Sequence, residues 1–130
     1  MNELFLEDNV IHGSNVTLVK ILGYVDAHTY RQLEQCLTDL LSAGKFRIII
    51  DLSKVRCISS PGVCVILNAI CEINLHRGKV VLLRPNDDVQ DVLDSMGFSE
   101  LVDISASLAD ALSWFHPDGA ARHVQAIPLH

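Results

Sequence analysis

The sequence predicts an α/β fold: a mixed but mostly parallel sheet that opens with a β-hairpin and carries about four helices. Two patterns support this prediction. Short β-branched runs alternate along the chain with segments whose apolar residues recur every three or four positions. Before the first helical segment, two strand-like runs flank residues 12–15, which have turn-forming chemistry. Because alternating strands and helices require crossover connections, most of the strands should be parallel.

The elements are expected in the order β-β-α-β-α-β-α-β-α. The predicted strands cover residues 3–11, 16–22, 46–50, 79–83 and 101–104, and the predicted helices cover 27–43, 60–77, 87–96 and 107–115. Asp26 is preferred over Thr29 as the cap of the first helix, Asn86 is expected to cap the third, and Ser107 the fourth.

The composition predicts one globular domain. The chain has 130 residues, 49% of them hydrophobic, and a mean hydropathy of +0.29. Residues 1–116 should form the domain, and 117–130, which mix Pro, Gly, Ala and His, a loosely ordered tail. The net charge of −6 argues against direct nucleic-acid binding. The sequence has no apolar run near the roughly 18 residues of a membrane span and no signal-peptide pattern, so we expect no membrane insertion and a cytoplasmic location.

The stretch from Phe46 to Leu67 holds the main functional candidate. Ile48 to Ile50 reads as a buried central strand, and Leu52 to Ser59 as a loop. Ser60 followed by Pro61 is a helix-start signal, with the serine as cap and the proline in the first helical position. A phosphoryl group on that serine would meet free N–H groups and the positive end of a helix dipole.

The segment DLSKVRCISSPGVCVIL resembles the signature of the anti-anti-sigma factors of the STAS-domain family. That signature runs from an apolar strand through a D-L-S-x-V-like turn to Asp-Ser-Ser/Thr-Gly. Gly23 and Asp26 match a second family element, and the resemblance covers about residues 3–115. The chain departs from the pattern at two positions: Ser59 replaces the family Asp, and Pro61 replaces the family Ser or Thr.

The resemblance implies an anti-sigma factor antagonist. Its unphosphorylated form would bind an anti-sigma factor of the serine-kinase type and free a sigma factor. Phosphorylation would reverse this binding, and a PP2C-like phosphatase would reset it. The implied phosphoacceptor is Ser60, with Ser59 as the alternative, and homodimer formation is left open. The implied partner-binding residues are Gly23, Asp26, Arg56, Ser59, Ser60, Pro61 and Gly62.

Other interpretations stay open on the residues alone. Ser60 and Asp26 are both also explained as helix caps without further function. The domain could be a scaffold or transport-associated STAS module that is never phosphorylated. It could also bind a small anion or nucleotide at the Ser60 helix start.

Enzymatic, metal and cofactor functions are not expected. No G-x-S-x-G, Walker, G-x-G-x-x-G or H-E-x-x-H motif occurs in the sequence. The six histidines show no ligand spacing, and the four cysteines form no C-x-x-C pair. We expect Cys36, Cys57, Cys64 and Cys71 to be small core residues.

Overall fold

The computed structural model of the chain describes residues 3–11 and 13–115, which form one sheet flanked by helices. The strands are β1 (Leu4–Val10), β2 (Thr17–Val25), β3 (Arg47–Ile58), β4 (Lys79–Leu83) and β5 (Asp103–Ser105). The helices are α1 (Tyr30–Ser42), α2 (Ser60–Leu75), α3 (Asp87–Ser95), α4 (Phe98–Leu101) and α5 (Leu108–Ser113). The predicted tail, 117–130, lies outside the described residues.

The predicted fold class is confirmed. The strands lie in the order β1-β2-β3-β4-β5, with β1 antiparallel to β2 and every later neighbour parallel. The described part of the chain has five helices rather than four, because the short α4 interrupts the segment between α3 and β5. Gly97 has a left-handed conformation and is the N-cap residue of α4. The sequence predicted it only as the residue that ends α3.

The core has two parts, one on each face of the sheet. Ile48 and Ile50 point to the face covered by α1, α2, α3 and α4. Ile49 points to the opposite face, which α5 covers with Ala111 and which Phe115 closes just after it. Because all three isoleucines have no exposed surface, β3 is the central strand that the sequence predicts.

The predicted loop between Leu52 and Ser59 is wrong, because β3 continues to Ile58. Two register shifts against β2 allow this, each giving β3 one residue more than its partner. The Asp51 carboxylate accepts a hydrogen bond from the Ser53 N–H at 2.9 Å and so stabilises the first shift. The side-chain amide of Asn86 donates to the Val55 carbonyl at 2.8 Å, on the edge of β3 that no strand covers.

The prediction that all four cysteines are core residues is also wrong, because the helix α2 is buried on one face only. One face is in the core, but the opposite face exposes Cys64 and Cys71, and Leu75 is 80% exposed. Cys57 on β3 is exposed as well, so three of the four cysteines are not core residues. Only Cys36 on α1 is half-buried: burial raises the pKa of its thiol to about 11, with Asp8 and Asp39 adding to the effect. Among the described residues, no helix has both the length and the apolar character that crossing a membrane requires.

Candidate functional site

The parallel strands β2 and β3 end side by side, which brings Asp26 next to Ser59 and Ser60. Val25 and Ile58 are register partners, so the next residue of each strand leaves the sheet at the same edge. The Ser59 N–H donates to the Val25 carbonyl at 2.8 Å and fixes the start of α2 to the end of β2. The carboxyl edge of parallel strands is the usual place for a site in an α/β fold.

Ser60 is exposed and occupies the first position of α2. The prediction that it caps the helix is wrong, since Ser59 is the N-cap residue. The helix begins with the hydrogen bond from the Val63 N–H to the Ser59 carbonyl, at 3.0 Å. Ser60 therefore has no capping function and presents its hydroxyl to solvent at the positive end of the helix dipole.

Ser59 is in the opposite situation. Its Oγ is buried and has no hydrogen-bond partner among the described residues. The side chain makes no capping bond, although Ser59 holds the N-cap position. Pro61, within the first turn, has no N–H, which further reduces the donors at this helix start.

Gly62 explains how the first turn of α2 comes so close to the sheet. A Cβ at this position would overlap the Val25 side chain and lie 3.1 Å from the Ile58 Cγ1. Any larger residue would push the helix start away from β2. Gly62 thus sets the position of Ser60 by allowing this contact.

Asp26 belongs to a turn that precedes α1. Its Oδ1 accepts hydrogen bonds from the His28 and Thr29 N–H groups, at 2.8 and 3.1 Å. Thr29 in turn donates its hydroxyl to the Tyr24 carbonyl at 2.6 Å and accepts from the Asp26 N–H at 2.9 Å. The prediction that Asp26 caps α1 is therefore wrong: Thr29 is the N-cap residue, and the Asp26 carboxylate orders the turn beside Ser60.

Gly23 lies within β2 rather than in a turn. Its φ of +107° favours glycine, and a Cβ there would overlap the Glu3 carbonyl. The Tyr24 N–H donates to that same carbonyl at 3.0 Å. Gly23 therefore allows β1 to begin against the end of β2, close to the Asp26 turn.

Arg56 is the extra residue at the second register shift of β3, and its side chain is exposed. It thus extends from the strand that leads directly into Ser59 and Ser60. The sequence did not place Asn86 in this region, because the residue pattern predicted only that Asn86 caps α3. The cap is confirmed by the bond from the Val89 N–H at 2.8 Å, while the same side chain also holds β3 at Val55.

The exposed face of α2 continues from Ser60 as a mostly apolar stripe. Its members recur at helical spacing, and we call them the outer stripe: the exposed Cys64, Cys71 and Leu75, with the half-buried Leu67 among them. A surface with one exposed hydroxyl and a neighbouring apolar stripe is suited to binding another protein. No group of three His, Cys, Asp or Glu side chains among the described residues could hold a metal ion.

The described residues form a small α/β domain, with a five-stranded mixed sheet and a serine at the start of the helix that follows its central strand. The family model of the STAS domain matches residues 9–111. The chain belongs to the STAS domain family.

Individual relatives are more distant. BtrV of Bordetella bronchiseptica, a candidate anti-sigma factor antagonist by its name, is 28% identical over 93 residues, which cover 72% of this chain and 80% of BtrV. An anti-sigma factor antagonist from Mycobacterium paratuberculosis has a similar structure, with a TM-score of 0.79 and 19% identity over 87% of this chain and 94% of its own.

The anti-sigma factor antagonist SpoIIAA, from Bacillus, has been solved both unphosphorylated and phosphorylated. The unphosphorylated form gives a TM-score of 0.63 at 18% identity, covering 96% of this chain and all of its own. The phosphorylated form gives 0.62 at the same identity, over 94% and 99%. At these identities, the structural matches show a shared fold.

Proposed function

We propose that this protein is an anti-sigma factor antagonist that binds an anti-sigma factor of the serine-kinase type and thereby frees a sigma factor. The observation that carries the proposal is the exposed Ser60 at the start of α2, beside Asp26, in a chain of the STAS family. The name of its relative BtrV supports the same function. The protein would be a kinase substrate in the cytoplasm and would need no catalytic group or cofactor of its own.

Ser60 is the better phosphoacceptor of the two adjacent serines. A kinase must bring the γ-phosphate of ATP in line with the attacking hydroxyl, so that hydroxyl must be accessible. Ser60 is exposed, whereas the Ser59 Oγ is buried. Phosphorylation of Ser59 would first require the start of α2 to leave its contact with β2.

A phosphate on Ser60 would act on the partner interface rather than on the fold. It adds a charge of about −1.5 to −2 at the end of the outer stripe, whose apolar side chains would face the partner. Desolvating that charge in an interface is costly. The neighbouring Asp26 carboxylate adds repulsion, although the helix dipole of α2 partly offsets it. Binding should therefore weaken, and a PP2C-like phosphatase would restore it.

The other proposed interface residues have different tasks. Arg56 and Pro61 would contact the partner, since both lie on the surface around Ser60. Gly23 and Gly62 would act indirectly, because the space at both positions is taken by neighbouring atoms. Asp26 would fix the shape of the turn that borders the interface.

One feature favours a second candidate, a STAS scaffold that is not phosphorylated. The start of α2 has fewer hydrogen-bond donors than most helix starts, because Pro61 lacks an N–H. Such a helix start holds a phosphate less well than one with all its donors. The same feature argues against a free anion bound at Ser60.

Labelling with the cognate kinase and radioactive ATP tests the proposal. Wild type and Ser59→Ala should take up label, and Ser60→Ala should take up none. Ser60→Ala should still bind the kinase in a pull-down, because only a solvent-exposed hydroxyl is lost. If Ser60→Ala is labelled like wild type, the acceptor is wrong. If wild type binds the kinase but takes no label, the scaffold is the correct interpretation.

A further inference from the structure

We propose that the amino-terminal end of the sheet holds a binding site for a small polyphosphate-type anion. A cavity of about 400 Å³ lies there, formed by residues 44–47, residues 76–79 and Asn15. These residues surround the starts of β3 and β4, whereas Ser60 lies at the far end of α2, about 24 Å away along the helix. The site is therefore separate from the proposed partner interface and does not depend on it.

The charge of the cavity is unlike that of the chain. Four of the chain's ten Lys and Arg residues line it: Lys45, Arg47, Arg77 and Lys79. The Asp103 carboxylate, which does not line the cavity, balances the charge of Lys79, so Lys45, Arg47 and Arg77 are the cations without an ion pair among the described residues that line it. The whole chain has a net charge of −6. The cations come from separate segments of the sequence that the fold brings together, which gives a local positive potential on an acidic protein.

Two of these cations are held in place by their neighbours. The Lys79 ammonium forms an ion pair with Asp103 and lies 4.9 Å from the centre of the Trp114 ring. Arg47 donates to the Phe115 carbonyl at 2.6 Å, with its guanidinium 5.4 Å from the Phe115 ring. Because a guanidinium has five N–H donors, Arg47 keeps donors for a ligand. Lys45 and Arg77 are exposed and form no ion pair within the described residues.

Arg77 occupies a backbone position that normally belongs to glycine. It follows α2 with a φ of +59°, in the left-handed region. The Arg77 N–H donates to the Asn74 carbonyl at 3.0 Å, and the Gly78 N–H to the Ile73 carbonyl at 2.8 Å. This pair of bonds is the Schellman motif, in which the left-handed residue is usually Gly. An arginine here gives up stability for a positive charge at the edge of the cavity.

The size and charge of the cavity define the ligand class. Its volume lies within the range of roughly 300–1,000 Å³ that small-ligand sites occupy. Several cations around one space match a ligand with several separated negative charges, such as a di- or triphosphate. Phe46 and His76, whose stacked rings are 4.1 Å apart, also line the cavity. The phosphates of a nucleotide and free polyphosphate share this chemistry.

Isothermal titration calorimetry of the full chain at low ionic strength, without divalent cations, tests the proposal. The probes are tripolyphosphate, ATP, adenosine and sulfate. We expect tripolyphosphate and ATP to bind, and sulfate and adenosine to bind far more weakly. Tighter binding of ATP than of tripolyphosphate would identify a nucleotide as the ligand, and equal affinity would identify the phosphates alone. No binding of tripolyphosphate, or equally tight binding of sulfate, would overturn the proposal.

Variants separate a built site from general charge attraction. Arg77→Gly should weaken tripolyphosphate binding about five- to tenfold without unfolding the protein, because glycine suits the left-handed backbone. Lys45→Gln should weaken it by a similar factor. Lys54→Gln is the matched control, since it removes an exposed lysine from β3 outside the cavity. If Lys54→Gln weakens binding as much as Arg77→Gly does, the attraction is non-specific and the site does not exist.

Discussion

A glycine allows a close contact with a neighbouring segment at each end of α2, but the two ends differ in their surface chemistry. At the first end, Gly62 lets the helix contact the Val25 side chain, and just beyond the other end Gly78 approaches the Phe46 carbonyl. The first end then exposes a neutral hydroxyl, that of Ser60, and the second exposes the cation of Arg77. The same helix thus carries a modifiable group at its positive pole and permanent charge beyond its negative pole.

The difference shows where the sequence follows local backbone preference and where it does not. At the start of α2, Ser59 and Ser60 have ordinary backbone conformations, and new charge would have to be added by phosphorylation. At Arg77 a left-handed position carries a large charged side chain instead of glycine. A charge that costs stability in this way is an indication of a binding function, whereas an exposed serine alone is not.

Adding one methyl group to Gly78 or Gly62 should lower the free energy of unfolding strongly. Gly78→Ala should lower the free energy of unfolding by about 3 kcal/mol, because the added Cβ meets a backbone carbonyl that cannot move aside. Gly62→Ala should cost about 2 kcal/mol, because it meets the Val25 side chain, which can partly adjust. Urea unfolding followed by circular dichroism measures both values.

Gly44→Ala is the control for these variants, because no atom lies within 4 Å of its added Cβ. Its cost comes only from a φ of +79° and should be about 1 kcal/mol. If Gly62→Ala costs no more than Gly44→Ala, the close contact between α2 and β2 does not position Ser60.

Asn86 supports the Ser60 end from the side, and its loss should have the next largest effect. Asn86→Ala removes the cap of α3 and the bond to the Val55 carbonyl, and should cost about 2 kcal/mol. Asn86→Ser keeps a capping oxygen but cannot reach Val55, so it should cost about 1 kcal/mol. Thermal unfolding of the two variants isolates the contribution of the β3 contact; equal losses would show that this contact contributes nothing.

The sequence predicted the elements that local patterns specify, and missed those that depend on tertiary contacts. The order of strands and helices along the chain, the hairpin and the Asn86 cap follow from periodicity and turn chemistry. The extension of β3 to Ile58 does not, because the polar Ser53, Lys54 and Arg56 resemble a loop and this stretch is held as a strand by β2 and Asn86. The exposure of Cys64 and Cys71 was missed because apolar residues lie on the outer face of α2 as well as on its inner face, so periodicity did not separate the two faces.

The candidate site was predicted in part. The family resemblance pointed to the stretch around Ser60, which the structure places at the same edge of the sheet as Asp26, whereas the helix-start signal assigned the cap to Ser60 and not to Ser59. The pattern Ser-Ser-Pro permits both assignments, and the bond from the Val63 N–H to the Ser59 carbonyl distinguishes them. The basic cavity had no local signal, because its residues come from segments that are about 30 positions apart in the chain.

Replacing Arg77 by glycine should change the free energy of unfolding less than the glycine and Asn86 variants do, and should raise it. Arg77→Gly should raise the free energy of unfolding by about 0.5–1 kcal/mol, because glycine adopts φ values near +60° without strain. Arg77→Ala is the matched variant: it removes the same charge from the negative end of the helix dipole but keeps the backbone strain, so it should be less stable than Arg77→Gly. A lower stability of Arg77→Gly than of Arg77→Ala would show that the arginine is not strained and would remove the contrast between the two ends.

The smallest effect is expected at Ser59. A serine at an N-cap normally contributes about 1 kcal/mol through its capping bond, and Ser107 shows such a bond, accepting from the Asp110 N–H at 3.1 Å. Ser59 has no such bond, and its buried Oγ lacks a partner among the described residues. Ser59→Ala should therefore leave the free energy of unfolding unchanged or raise it by up to about 1 kcal/mol, because a desolvated hydroxyl is removed. Ser107→Ala, measured in the same urea series, should lower it by about 1 kcal/mol. Equal losses in the two variants would mean that the Ser59 side chain does cap α2. The assignment of Ser59 as a buried serine without a capping bond would then be wrong.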